Sequence, residues 1–274
     1  MTWTEHRPAS PGGPAPLSSH PARGRFAPQP GASSRGRMFS AQTRMEFRLQ
    51  LRNGEQVALT LVIPLLLMLF FNLPLLYSLG SERRIDFVVP SILALAVMSA
   101  AFTGQAIGTG FERKYSVLKR LGATALPRSV LIAGKTAAVG LVEVLQIVLV
   151  CALGFALAWH PHGDPLSVLV LLILGTAAFG GLGLLVAGTL RAEVTLAAAN
   201  LIWMVLLFAG GIAIPLDKFG SARDVLQYLP SAALSDGLHQ VLQYGHNLPV
   251  HDFVTLVVWS ALALPAAARW FRWE

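Results

Sequence analysis

A chain of 274 residues that is 54% hydrophobic, 13% charged and has a mean hydropathy of +0.59 holds too few charges to coat a water-soluble globule of its size. The formal charge of +7 does not point to nucleic acid, because the lysines and arginines gather in the loops of one membrane face. A single cysteine, Cys151, excludes an intramolecular disulfide and lies in an apolar run, where it packs as a small hydrophobe.

Residues 1–37 are rich in Pro, Gly, Ser and Arg without apolar periodicity, which reads as a disordered cytosolic tail; translation from Met38 instead of Met1 is left open. From 38 to 54, Met45, Phe47, Leu49 and Leu51 alternate with charged or polar residues in the period of a strand. An isolated strand beside a membrane would leave its backbone unpaired. The expectation is therefore an interfacial helix whose Arg44, Arg48 and Arg52 meet lipid headgroups.

Six apolar tracts follow, near 57–79, 87–110, 130–159, 166–190, 194–214 and 252–268, each near the roughly 20 residues needed to span hydrocarbon. Seventeen of the 21 basic residues then fall on the side of the N-terminal tail, the 111–129 loop, Arg191 and the C-terminus. Basic residues stay cytosolic, so both termini face the cytosol in a multi-pass protein of the inner or plasma membrane. The fold class expected is an all-α membrane protein with one six-span domain over 38–274.

Between the second and third spans, Tyr115, Leu118 and Leu121 recur every three residues opposite Lys114, Lys119 and Arg120, which predicts a helix along the inner surface over 111–121. It is either a basic loop drawn to anionic lipid or a docking surface. Within the spans Glu143 stands out, roughly 12 Å deeper than Lys135 at about 1.5 Å per residue. With Gln146, Gln105 and Asn200 it forms either a hydrogen-bonded network between helices or a pathway lining. Gly104, Gly108, Gly181 and Gly183 mark seams of close helix approach. Segment 215–251 has near-helical apolar spacing broken by Pro230, as two short helices dipping into the outer leaflet would. The histidines are too scattered for a metal site.

Glu112-Arg113-Lys114-Tyr115, then Leu118-Lys119-Arg120-Leu121-Gly122-Ala123-Thr124, Pro127 and Gly134-Lys135, resemble the cytoplasmic loop of ABC-2 type exporter permeases. Gly210 through Pro215, Tyr228-Leu229-Pro230 and Asp236-Gly237-Leu238 are similar to that family's fifth-span end and outer re-entrant hairpin. The resemblance covers about 38–272 and departs at His239, where relatives commonly carry arginine. It implies a subunit that dimerises, with itself or a second permease, and is driven by a separate ATP-binding-cassette ATPase through a coupling helix at 111–121. Glu112, Arg113, Lys114, Lys119 and Arg120 would be the coupling residues, and Pro215, Pro230 and Asp236 would mark the outer hairpin. ATP and magnesium would sit on the partner, since no phosphate-cradling Gly-x-x-x-x-Gly-Lys-Ser/Thr motif occurs here. Membrane lipid is the remaining partner, and a lipophilic or amphipathic molecule is the expected cargo. Three alternatives stand beside this. A membrane-embedded enzyme lacks the mid-span aspartates it would need. A proton-coupled carrier would use Glu143 and need no ATPase. An assembly factor would move no solute.

Overall fold

The computed structural model describes residues 33–52, 54–73, 84–122, 124, 126–214 and 216–270, and no strand occurs among them. The alternating segment folds as a helix, α1 (Arg35–Arg52). Its buried face is polar: Gln42 and Glu46, one turn apart, seal against the third predicted span. Gly134 permits that approach, because a Cβ there would lie 2.7 Å from Gln42 Cγ.

The first predicted span corresponds to α2 (Gly54–Phe71), and residues 74–79 of the expected tract lie outside the described residues. The second is a rod running from Arg84 to Lys114, longer at both ends than expected. It comprises α3 (Arg84–Val97), a π-helical stretch (Met98–Gly104) and α4 (Gln105–Lys114). The single surface helix expected over 111–121 does not form. Residues 111–114 continue the rod, the chain turns through Tyr115 and Ser116 (φ 58°), and α5 (Val117–Gly122) follows separately. Tyr115 is 65% exposed and so belongs to no buried face.

The third span is α6 (Arg128–Ala156). It stops short of the expected 159 because Ala158 takes φ 62° and the Trp159 amide turns back to the Gly154 carbonyl at 2.9 Å. Asp164 then caps α7 (Pro165–Thr189), accepting from the Ser167 amide at 2.9 Å and its hydroxyl at 3.0 Å, with Pro165 in the first turn. These donors hold the Asp164 carboxyl below its ordinary value. The chain continues through α8 (Ala192–Ala209), a 3-10 turn (Leu216–Ala222), α9 (Arg223–Leu226), α10 (Pro230–Leu242) and α11 (Val250–Trp270).

Among the described residues five helices are long and apolar enough to cross a membrane, against six expected: 84–114, 129–156, 165–189, 192–209 and 250–270. The described apolar run of α2, Thr60–Phe71, is shorter. α7 lies at the centre, packed on α11, α4, the π-helical stretch and α10. Glycine permits two of those contacts: a Cβ at Gly181 would lie 2.8 Å from Ala263 Cβ, and one at Gly183 would lie 2.7 Å from the Phe102 carbonyl oxygen. α10 is set into the bundle rather than along its rim, with every residue buried except Asp236 and Gln240.

Candidate functional site

At the end of the bundle that carries α1, Lys135 of α6 is buried between two carboxylates. Its Nζ lies 2.9 Å from Glu46 Oε1 and 2.6 Å from Glu112 Oε2, and Gln42 Nε2 donates to Glu46 Oε1 at 2.7 Å. Glu46 and Lys135 side chains are each 6% exposed and Glu112 is 27% exposed. Water therefore screens this pair of contacts poorly, and three helices are joined through one ammonium group. Next to it, Arg113 donates to the Leu190 carbonyl, and Lys114 pairs with Glu193 at 2.5 Å. The rod is thus tied to the α7–α8 turn as well.

Three of the expected coupling residues, Glu112, Arg113 and Lys114, are accordingly brought together and engaged in contacts within the chain. Arg120 is exposed on α5, and the side chain of Lys119 lies outside the described ones. Glu46 and Lys135 had not been singled out as partners. They are 89 positions apart, and only the polarity of the α1 face hinted that it docks.

Deeper in the bundle is a cavity of about 790 Å³ between α1, α2, α3, the π-helical stretch, α4, α6 and α8. None of the described residues lining it is charged. Gln146 and Asn200 line it; Gln105 and Glu143 do not. Glu143 instead accepts from Thr176 Oγ1 at 2.5 Å, joining α6 to α7, and Gln105 Nε2 reaches the Gly180 carbonyl at 3.4 Å. Along the cavity wall Trp203 Nε1 donates to Ser99 Oγ at 3.0 Å, so α8 is fastened to the wide π turn. Gly108, expected at a packing seam, faces open space: a Cβ there would meet nothing within 4 Å.

Gln146 has a definite structural task. Pro64 has no amide to offer the Thr60 carbonyl four residues earlier, and in an apolar surrounding that acceptor needs another donor. Gln146 Nε2 supplies it at 2.7 Å. Replacing Gln146 by Leu is expected to lower the thermal unfolding midpoint by the equivalent of about 1 kcal/mol. Adding Pro64→Ala, which restores the α2 amide, should return most of the loss. Equal midpoints for wild type and Gln146→Leu would refute the assignment.

At the opposite end, His239 lies within α10 with Nδ1 2.7 Å from the Ser235 carbonyl and Nε2 3.1 Å from the Phe87 carbonyl and 3.2 Å from Ser91 Oγ. Burial holds the imidazole below its ordinary pKa, against the upward pull of those carbonyls. The Ser91 hydroxyl itself donates to the Phe87 carbonyl at 3.1 Å. Asp236 accepts from Gln240 Nε2 at 2.7 Å, and Pro230 opens α10 at its first turn. Pro215 lies outside the described residues. Among the described residues no cluster of three or more His, Cys, Asp or Glu side chains suits a metal ion.

Among the described residues, long apolar helices around an uncharged cavity, with charge ties at the bundle's ends, mark a multi-pass membrane protein. The family model for ABC-2 family transporter proteins matches residues 80–269, and the chain belongs to that family. Its members form the permease component rather than the ATPase, and usually work with an ATP-binding-cassette ATPase. No curated protein matches the chain significantly.

Proposed function

We propose that the chain is the permease subunit of an ATP-driven exporter that moves a lipophilic or amphipathic substrate out of the cytosol or inner leaflet. The supporting observation is the cavity of about 790 Å³, uncharged among its described lining and walled by apolar helices, within a chain of the ABC-2 family. In this reading α2 completes a sixth span, both termini are cytosolic, and the segment from Leu216 to Leu242 forms the outer re-entrant hairpin. A second permease, identical or not, closes the pathway. ATP and magnesium belong to a separate cassette ATPase docked on the Tyr115–Gly122 turn, with Glu112, Arg113 and Lys114 bracing that turn from behind.

The test is reconstitution of the chain with its co-purifying ATPase in liposomes. Uptake of a lipophilic dye should require ATP, and Arg120→Glu should reduce substrate-stimulated ATP hydrolysis several-fold with insertion unchanged. Dye movement by the chain alone on a proton gradient would replace this reading with a carrier. Unchanged hydrolysis in Arg120→Glu would move the docking surface elsewhere.

A further inference from the structure

We infer that the uncharged cavity and the basic stripe of α1 form one binding site for an anionic single-chain amphiphile, whose headgroup rests on Arg44, Arg48 and Arg52 and whose chain enters the cavity. The inference rests on the permease reading for its biological meaning, but binding itself requires neither an ATPase nor transport.

Two features of the molecule adjoin. The first is the cavity, which carries no charge among its described lining and so suits a hydrocarbon chain. The second is α1, which is fixed in rotation because Gln42 and Glu46 are sealed on α6. With that face inward, Arg44, Arg48 and Arg52 fall at i, i+4 and i+8, about 6 Å apart along the axis, and all three are exposed. Among the described residues no carboxylate pairs with any of them, and the one acidic residue described on α1, Glu46, is engaged by Lys135. A row of guanidinium groups with no counter-charge among the described residues suits a phosphate headgroup.

The two features meet at Leu51. It lines the cavity together with Gln50, and lies seven residues after Arg44 and three after Arg48, on the same face of α1. An amphiphile with its phosphate on the arginines thus has its chain directed to the cavity mouth. A zwitterionic headgroup would bring its own cation to a basic surface and gain less. A free anion would leave the cavity unfilled.

The experiment uses the purified full-length chain in phosphatidylcholine nanodiscs. With the other five tryptophans replaced by Phe, Trp203, in the cavity wall, reports on occupancy through quenching by a brominated acyl chain. Brominated lysophosphatidylglycerol should reach half-quenching at a concentration on the order of a hundredfold below that for brominated lysophosphatidylcholine, three nearby arginines each favouring the anion. The triple variant R44Q/R48Q/R52Q should lose that preference, the two lipids then quenching alike. Gly108→Leu, which extends a side chain into open space, should suppress quenching by both while leaving the gel-filtration profile unchanged. Trp203→Phe should remove the signal. Equal half-quenching of the two lipids in the wild type would overturn the inference, as would a preference that survives the triple variant or quenching that survives Gly108→Leu. Displacement of the lipid by glycerol phosphate at matching concentration would also overturn it, by showing a simple anion site. If lipid binding behaves as expected while ATP-dependent export is absent, the site stands and the permease reading falls; the converse result separates them the other way.

Discussion

Replacing Lys135 by Met is expected to destabilise the protein by about 3–5 kcal/mol, because it leaves Glu46 and Glu112 facing one another without the cation they share. Most of that loss is the cost of a buried charge left uncompensated, not the value of the ion pair itself. The triple replacement Glu46→Leu, Lys135→Met, Glu112→Leu should therefore regain much of the stability, since apolar side chains of similar size tolerate the same burial. Thermal unfolding in detergent, followed by the monodisperse fraction on gel filtration, measures both. A Lys135→Met midpoint within a degree of wild type would mean that the three helices are not held through this group. Stimulated ATP hydrolysis by the triple variant with its ATPase adds a second readout. Recovered stability with lost stimulation would assign the charges to communication between helices rather than to folding.

Gly183→Leu should cost about 3 kcal/mol, the upper part of the range for overpacking. A Cβ at this position would stand 2.7 Å from the Phe102 carbonyl oxygen, 3.1 Å from that of Ala101 and 3.3 Å from Phe102 Cα. All three are backbone atoms of the π-helical stretch, so no side chain can swing away to make room. Gly108→Ala is the matched control, for its Cβ enters open space and alanine favours a helix over glycine by up to about 1 kcal/mol. The expected order of unfolding midpoints is Gly108→Ala at or above wild type, with Gly183→Leu well below. Equal midpoints for wild type and Gly183→Leu would refute the close approach of α7 to the π stretch.

What the sequence disclosed follows from what hydropathy can register. The expected tracts 166–190 and 252–268 correspond to helices at 165–189 and 250–270, because a long apolar run bounded by a capping Asp-Pro or by charges has few other options. α1 resisted the same reading. Its docked face is made of Gln42 and Glu46, so the apolar residues that normally mark burial were on the exposed side, and their alternation imitated a strand. The 111–121 segment misled in the opposite sense: three apolar residues at regular spacing suggested a face, yet Ser116 adopts a left-handed conformation between two helices. Glu143 and Gln146 were legible as intramembrane polar groups. Their tasks were not, since each depends on a partner, Thr176 or the carbonyl released by Pro64, that only the folded chain brings near.

The wide turn between Met98 and Gly104 sets the phase of everything beyond it. Each i→i+5 bond takes up a residue more than an α-turn does, so if the same residues wound there as an ordinary α-helix the far end of the rod would rotate by about 100°. Glu112 would swing off Lys135 and Arg113 off Leu190 together, which makes those seven residues the clockwork that times both ties from half a membrane away.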